Sequence, residues 1–261
     1  MKQFGLIGHP LEHSFSQRYF TEFFNKEGFN FRYDNYDIES VDQFICLFNN
    51  NPDLKGLNVT SPYKETIIPY LDGYDTIVDE IKSTNTLLRL QDRRIIGFNT
   101  DVIGFATTLQ KVITTNPLPS SALILGTGGA SKAVQYVLRH QGIPYRLVNR
   151  NPQRGDLTYS TLSANDISDH QLIINCTPLG TYPKVQLAPN IPYDAITADH
   201  LLIDLVYNPE ETLFLKHGKA RGASTVNGLT MLYAQAAASW QIWQTPFEKM
   251  ESNILFKGPS R

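Results

Sequence analysis

Short apolar runs alternate along the chain with longer stretches in which apolar residues recur every three or four positions. Short runs predict β-strands and the longer stretches predict amphipathic helices, because side chains repeat with period two in a strand and 3.6 in a helix. In the first half, strands are predicted at residues 3–7, 31–37, 54–59, 84–90 and 94–97, the last two forming a hairpin. Helices are predicted there at residues 15–26, 41–49, 65–71, 76–81 and 101–112.

The pattern changes after the proline-containing segment 116–119. Beyond it, strands are predicted at residues 122–125, 145–148, 172–175, 201–205 and 224–226. A helix should follow the first of these strands and end near residue 141, and another should cover residues 231–244. Regular alternation of strands and helices is typical of a parallel sheet in an α/β protein, so we predict two α/β domains with a change of domain within residues 99–119.

Composition and charge narrow the class of protein. Hydrophobic residues make up 41% of the chain, which is enough for a buried core, and the formal net charge of −2 gives no basic surface for nucleic acid. No apolar run approaches the roughly 20 residues of a membrane span, and the start of the chain lacks a signal-peptide pattern. The two cysteines and the six histidines show no metal-ligand spacing. We therefore expect a soluble, cytoplasmic protein that binds neither nucleic acid, membrane nor metal.

A glycine-rich turn lies directly between a predicted strand and a predicted helix. Its sequence is Gly126-Thr127-Gly128-Gly129-Ala130-Ser131. Gly126 permits the tight turn, Gly128 lets a pyrophosphate approach the backbone, and the helix N-terminus offers free N–H groups. Ser131 stands where glycine or alanine is usual. Such a turn can also exist without a ligand, but its context favours a dinucleotide site.

The residues after the next strand indicate which dinucleotide is bound. Sites that prefer NAD place an acidic residue here to hold the ribose hydroxyls. This chain instead has Asn149 and Arg150, followed by Arg154, with no acidic residue among positions 149–154. Guanidinium groups suit a 2′-phosphate, so NADP is favoured over NAD.

Small polar residues lie at the ends of predicted strands and at turn-like junctions in the first hundred residues. They occur in His13-Ser14-Phe15-Ser16, Asn58-Val59-Thr60-Ser61-Pro62-Tyr63-Lys64, Ser83-Thr84-Asn85-Thr86 and Asn99-Thr100-Asp101. Each taken alone is better explained as a helix cap, a turn residue or a solvated side chain than as a functional residue. As a set they predict a small-molecule site, because ligands of open α/β sheets bind beyond the carboxyl ends of the strands.

Together these motifs are similar to those of one family. The chain resembles the shikimate dehydrogenase family over its whole length. The resemblance is carried by Leu6-Ile7-Gly8-His9-Pro10 with residues 13–16, by the segments 58–64, 99–104, 126–131 and 149–150, and by Asn175-Cys176-Thr177-Pro178-Leu179-Gly180, Asp204-Leu205-Val206-Tyr207-Asn208-Pro209 and residues 228–235. It implies reversible reduction of 3-dehydroshikimate to shikimate by NADPH, in the pathway to aromatic amino acids.

The resemblance also implies which ligand each domain binds. The substrate domain would consist of residues 1–101, completed by helices within 236–261. A Rossmann-like NADP domain would be formed by residues 102–235. The active site would lie in the cleft between the two domains. Lys64 would be the general acid and base, with Asp101 as its partner. The substrate would be held by Ser14, Ser16, Asn58, Thr60, Asn85, Tyr207 and Gln235. The cofactor would be held by Gly126, Gly128, Gly129, Ala130, Ser131, Asn149, Arg150, Arg154, Thr177 and Gly228.

Other interpretations of the same residues remain open. The chain could be a quinate or dual quinate/shikimate dehydrogenase that uses NAD, against which the Arg150 pattern argues. It could be a non-catalytic sensor of shikimate-type ligands or NADP, against which the Lys64–Asp101 pair argues. A purely structural Rossmann domain would leave the polar residues of the first hundred positions unexplained. A monomer and a homodimer both suit this composition.

Overall fold

Two β-sheets organise the chain in a computed structural model that describes residues 1–11, 15–114 and 118–257. The strands are β1 (Lys2–Gly8), β2 (Phe31–Asp37), β3 (Leu54–Val59), β4 (Gly73–Asp75), β5 (Thr86–Arg89), β6 (Ile95–Phe98), β7 (Ala122–Leu125), β8 (Tyr145–Asn149), β9 (Leu157–Thr158), β10 (Leu172–Asn175), β11 (Leu201–Asp204), β12 (Ser224–Val226) and β13 (Ile254–Phe256). The helices are α1 (Phe15–Lys26), α2 (Gln43–Asn50), α3 (Tyr63–Thr66), α4 (Thr76–Ile81), α5 (Asp101–Ile113), α6 (Gly129–His140), α7 (Ala164–Ser168), α8 (Leu213–Ala220) and α9 (Leu229–Gln244).

The chain divides into two compact units. The first contains Met1–Thr100 together with Ala236–Arg261, and the second contains Asp101–Gln235. The boundary expected from the sequence lay one residue later, after Asp101. The first unit is therefore assembled from both ends of the sequence, whereas the second is continuous.

The first unit is built on a mixed seven-stranded sheet with the order β13-β4-β6-β5-β3-β1-β2. Strand β1 runs parallel to β2 and β3, while β5 is antiparallel to both β3 and β6. The hairpin predicted from the sequence is thus confirmed. This topology brings the carboxyl ends of β1, β3 and β6 and the start of β5 to the same edge of the sheet.

Residues from the end of the chain complete the core of this unit. Phe4 of β1 packs in one cluster with Phe20 and Phe24 of α1 and with Trp240 and Trp243 of α9. Ile7 faces the opposite side, where it packs in a cluster with α2 and β3. The Trp243 ring stacks on Phe4 at 4.7 Å, and its Nε1 donates a 2.9 Å hydrogen bond to the carbonyl oxygen of Leu87. A Cβ atom on Gly56 would overlap this indole, so glycine is required where Trp243 crosses β3.

The second unit is built on a parallel six-stranded sheet with the order β12-β11-β10-β7-β8-β9. Strands β8 and β9 lie on one side of β7, and strands β10, β11 and β12, which follow later in the sequence, lie on the other side. All four residues of β7, β10 and β11 are buried, as expected for parallel strands covered on both faces. The predicted α/β class with a Rossmann-like sheet is confirmed. Ligands of such sheets bind where the strand order reverses, at the carboxyl ends of β7 and β10.

Some short elements differ from the sequence-based expectation. The helix predicted at 65–71 is α3 followed by a 3₁₀ turn at Ile68–Tyr70, because Pro69 has no N–H to continue an α-helix. Strands β4, β9 and β13 and helices α7 and α8 were not predicted. The three strands have only two or three residues, too few to show a period.

No helix in the described ranges is both long enough and apolar enough to cross a membrane.

Candidate active site

A buried polar network lies at the edge of the first sheet where β3 and β6 end and β5 begins. The side-chain nitrogen of Asn58 donates to the hydroxyl of Ser239 at 2.9 Å and to that of Thr86 at 3.2 Å. The carboxamide oxygen of Asn85 accepts from the Thr100 backbone N–H at 2.7 Å and from its hydroxyl at 3.1 Å. Thr86, Thr100 and Ser239 are fully buried. Both amides are therefore held in fixed orientations, which suits recognition of ligand hydroxyl groups.

A buried tyrosine also belongs to this network. The hydroxyl of Tyr33 donates to Asn58 Oδ1 at 2.8 Å. Tyr33 is buried, and burial raises the pKa of its phenol well above the usual value. The structure thus connects Asn58 and Asn85 of the predicted substrate site, and the Ser16 side chain partly offsets the effect of burial on the pKa of Tyr33. Ser14 lies outside the described residues.

Lys64 occupies the short helix α3, just beyond the end of β3. The Lys64 carbonyl accepts a 2.8 Å hydrogen bond from the Thr84 backbone N–H, next to Asn85. Tyr63 is buried, and its hydroxyl donates to the carbonyl of Ile38. The Thr60 backbone N–H donates to the carbonyl of Ile7 at 2.9 Å. The segment that carries Thr60 and Lys64 is therefore anchored on both sides, while the Lys64 side chain is only partly buried.

In the second unit, the glycine-rich turn follows β7 at the reversal of strand order. Gly126 has φ of +98°, a left-handed conformation that favours glycine, and a Cβ there would lie 3.0 Å from Thr177 Cγ2. A Cβ on Gly128 would meet no atom within 4 Å, so the space beside it is open. Gly128 caps α6 without a side-chain hydrogen bond, and the first turn of α6 carries no acidic residue. This turn fits a bound phosphate.

The side chain of Ser131 is fully buried and accepts a 3.1 Å hydrogen bond from Gln135 Nε2. The group of Ser131 that suits a phosphate is therefore its backbone N–H. The same holds for the backbone N–H groups of Gly129 and of the partly buried Ala130 at the start of α6.

The loop after β8 places two arginines at the surface. Asn149 donates to the hydroxyl of Thr127 in the glycine turn, and its Oδ1 accepts from the Asn151 backbone N–H at 2.8 Å. Within the described part of the chain, neither Arg150 nor Arg154 forms an ion pair. The nearby Asp156 instead accepts a 2.7 Å hydrogen bond from the Leu147 backbone N–H. The positive charges of the two guanidinium groups are therefore not neutralised by an ion pair with a described carboxylate at this strand end, which fits binding of a 2′-phosphate.

A second buried network supports the loops that follow β10 and β11. Asn175 Oδ1 accepts from the Thr177 hydroxyl at 2.6 Å, and its Nδ2 donates to Asp204 at 2.9 Å. Asp204 also accepts from the Val206 backbone N–H at 3.0 Å and from the Thr212 hydroxyl at 2.5 Å. Burial raises the pKa of Asp204 to about 6. This network fixes the loop of Thr177 relative to the loop that leads to Tyr207.

Four further predicted site residues lie elsewhere in the second unit. Asp101 is the first residue of α5 and is 1% exposed, and Gln235 lies on α9. Tyr207 is partly buried, which raises the pKa of its phenol. A Cβ on Gly228 would overlap the carbonyl of Leu205, so the chain requires glycine there. Among the described residues, no group of three or more histidine, cysteine and acidic side chains could hold a metal ion.

Comparisons with known proteins show the family of this chain. A sequence model for the "Shikimate dehydrogenase substrate binding domain" matches residues 6–87. An NADP(+)-dependent shikimate dehydrogenase of Methanosphaera stadtmanae is 35% identical, over 96% of this chain and 95% of that protein. The corresponding enzyme of Desulforamulus reducens is 33% identical, over 97% of this chain and 94% of that protein. The chain belongs to the shikimate dehydrogenase family.

Solved structures of shikimate dehydrogenases share the fold. The enzyme of Thermus thermophilus in complex with NADP(H) and shikimate matches with a TM-score of 0.83 and 30% identity, covering 97% of this chain and 98% of that one. The enzyme of Aquifex aeolicus matches with a TM-score of 0.82 and 32% identity, covering 97% of both chains. A quinate dehydrogenase of Corynebacterium glutamicum in complex with NAD has a TM-score of 0.84 but only 23% identity, so it shows a common fold alone. The predicted family and the prediction of an oxidoreductase are confirmed.

Sequence reasoning missed Tyr33 and Ser239, which complete the polar network of this shikimate dehydrogenase family member. Tyr33 was assigned only to a strand, and nothing local distinguishes it from a core aromatic residue. Ser239 follows Gln235 by four positions on α9, a spacing that places two side chains on the same helix face. That spacing was the available signal.

The raised pKa of Asp204 predicts how stability depends on pH. A pKa of about 6 in the folded state, against the usual 3.8, means that the folded protein binds this proton more tightly than the unfolded one. This contribution is complete below pH 4 and is lost as pH rises through 6. We expect the loss of this contribution to lower the free energy of unfolding by up to about 3 kcal/mol between pH 4 and 7. Urea unfolding of the wild type and Asp204→Asn across this range measures it.

The difference in unfolding free energy between these two proteins should change with pH in that window. The exposed Asp199→Asn provides the control and should follow the wild type. Parallel pH profiles for the wild type and Asp204→Asn would contradict the prediction.

Proposed function

We propose that this chain catalyses the reversible, NADPH-dependent reduction of 3-dehydroshikimate to shikimate. The observation that carries the proposal is the match, over 97% of the chain, to a structure in complex with NADP(H) and shikimate. The polar network around Asn58 and the arginines after β8 support it independently, because they suit a polyhydroxylated substrate and a 2′-phosphate.

Lys64 is proposed as the general acid in the direction of reduction. NADPH, when bound, supplies the hydride that reduces the ketone carbon. Negative charge then develops on the ketone oxygen, and the Lys64 ammonium donates a proton to it and stabilises that charge. In the reverse direction, neutral Lys64 accepts the proton from the alcohol. Asp101 is proposed as the second catalytic residue, a carboxylate that accepts a hydrogen bond from a ring hydroxyl.

The remaining residues are proposed to bind the two ligands. Ser14 and Ser16, with Tyr207, hold the carboxylate of the substrate. Ring hydroxyls are held by Asn58, Thr60, Asn85 and Gln235. The pyrophosphate lies against the backbone of residues 126–131 at the start of α6. Asn149, Arg150 and Arg154 bind the adenosine 2′-phosphate, while Thr177 and Gly228 also contribute to cofactor binding.

A quinate dehydrogenase that uses NAD is not favoured. The quinate dehydrogenase match has 23% identity, whereas NADP(+)-dependent shikimate dehydrogenases match at 33% and 35%. The chain belongs to an enzyme family and contains both Lys64 and Asp101, which argues against a non-catalytic sensor.

Steady-state kinetics test the proposed function. Oxidation of shikimate and of quinate is measured with NADP and with NAD, by the absorbance of the reduced cofactor. We expect the highest kcat/KM for shikimate with NADP. A preference for quinate or for NAD would contradict the proposed specificity, and absence of turnover in all four pairings would contradict the activity.

A further inference from the structure

The carboxylate of Asp37, the last residue of β2, holds the segment that follows β1. One of its oxygens lies 2.7 Å from His9 Nδ1, and the other accepts the Leu11 backbone N–H at 3.1 Å. Because a carboxylate can only accept, His9 Nδ1 carries the proton of the first bond. Pro10, between these two residues, has no N–H to donate. Both oxygens of one carboxylate therefore contact the same three-residue segment.

This carboxylate is charged and lies at the surface. The hydrogen bonds from His9 and from the Leu11 backbone hold the pKa of Asp37 below its usual value. The side chains of His9 and Asp37 are 44% and 46% exposed. Ion pairs with this much exposure contribute little to the free energy of unfolding. The arrangement is therefore better explained by the local position that it gives to residues 9–11.

The segment after β3 keeps other hydrogen bonds if the Asp37 side chain is removed. Its Thr60 backbone N–H donates to the carbonyl of Ile7 at 2.9 Å, and its Lys64 carbonyl accepts from the Thr84 N–H at 2.8 Å. Neither of these bonds involves β2. We therefore expect the proposed ring-hydroxyl and proton-transfer residues of this segment to stay in place without the carboxylate.

The segment after β1 depends more directly on Asp37. The His9 backbone N–H donates to the Ser61 carbonyl at 3.1 Å, which holds the first residue of the segment. Two residues later, the Leu11 N–H has the Asp37 carboxylate as its acceptor. Both serines proposed to bind the substrate carboxylate follow within five positions of Leu11. Loss of the Asp37 carboxylate should therefore loosen the chain on the side that leads to these serines.

We propose that Asp37 is a positioning residue that fixes the segment after β1 and thereby strengthens the hold of Ser14 and Ser16 on the substrate carboxylate. This inference rests on the proposed function. Asp37 acts through residues 9–11 and makes no contact with the substrate itself. Recognition of the carboxylate therefore depends on Asp37, whereas recognition of the ring hydroxyls does not.

Two ligands that differ only at the carboxylate test this role. Shikimate carries the negative charge, and the methyl ester of shikimate keeps the ring hydroxyls without it. The dissociation constant of shikimate is measured by calorimetric titration, and the ester is measured as a competitor. Asp37→Ala should weaken shikimate about fivefold and the ester less than about twofold, because only the contacts to the carboxylate are displaced. KM for shikimate should rise in proportion, while kcat changes less than about twofold.

A conservative variant tests whether the contact to Leu11 is the cause. The amide oxygen of Asp37→Asn can still accept the Leu11 N–H, so this variant should bind shikimate within about twofold of the wild type. A loss as large as that of Asp37→Ala would mean that the charge acts directly, and it would overturn the positioning role. Equal weakening of shikimate and its ester in Asp37→Ala would also overturn it.

Hydrogen–deuterium exchange of the free protein measures the position of the segment without any ligand. Asp37→Ala should speed exchange at least about threefold in peptides that cover residues 9–16, because the Leu11 N–H loses its acceptor. Peptides that cover residues 58–64 should exchange as in the wild type. Unchanged exchange over residues 9–16 would contradict the proposal whatever the ligand measurements show.

Controls separate this proposal from the proposed function. Asp92 is a matched aspartate at the tip of the β5–β6 hairpin, where it accepts from the backbone N–H and the side chain of Arg94. Asp92→Ala should change neither ligand. Wild-type turnover of shikimate with NADP is measured in the same series. Absence of that turnover would refute the proposed function, whereas normal turnover with unchanged ligand selectivity in Asp37→Ala would refute only the role of Asp37.

Discussion

Replacement of Lys64 by alanine is expected to lower kcat for shikimate oxidation by about 10²–10⁴-fold, the range for loss of a general acid or base. Alanine removes both the proton carrier and the positive charge that stabilises the developing alkoxide. The dissociation constant of shikimate should change far less, because the buried network around Asn58 is left intact. Single-turnover and steady-state rates, with calorimetric titration of shikimate, measure the two effects separately.

Two matched variants refine this test. Lys64→Arg keeps a positive charge but does not release a proton at neutral pH, so it should retain binding and lose turnover. Lys26→Ala removes an exposed lysine at the end of α1 and should behave as the wild type. Near-normal turnover in Lys64→Ala would contradict the proposed chemistry, and weakened binding with turnover intact would make Lys64 a binding residue.

Replacement of Arg150 by alanine is expected to raise the dissociation constant of NADP by about 10–100-fold. This fold-change corresponds to the free energy of one charge-assisted hydrogen bond. The dissociation constant of NAD should stay within about twofold, because NAD has no 2′-phosphate for the guanidinium to bind. Equilibrium titration with both nucleotides measures the change in preference. The exposed Arg221, which pairs with Asp194 in the same unit, provides the control as Arg221→Ala. Equal losses for NADP and NAD would contradict a role in 2′-phosphate recognition.

Much of the fold was predictable because the long elements carry a clear period. Helix α1 and strands β2 and β3 begin and end at the predicted residues, and the buried strands β7 and β10 were recognised as compact apolar runs. The short strands β4 and β13 were not predictable, since β13 is defined by its pairing with β4, and β4 by its pairing with β13 and β6, rather than by their own sequences. Proline explains the one helix that was predicted too long, at 65–71.

The candidate site was predictable where its residues follow strands, and less so where they come from distant parts of the chain. Asn58 and Asn85 were identified because each lies at a strand end. Ser239 contacts Asn58 across 181 positions of sequence, and only the folded chain brings α9 to that edge. The roles assigned to the site residues remain predictions, which the variants above test.

The division of the first unit between the two ends of the chain has a consequence for synthesis. Phe4 and Phe24 emerge from the ribosome well before Trp240 and Trp243, which cover them, and the whole second unit is translated in between. The second unit is continuous, so its parallel sheet is complete once residue 226 has emerged. During translation, therefore, the second unit is the first that can finish folding, while the first unit keeps an aromatic surface exposed until helix α9 has emerged.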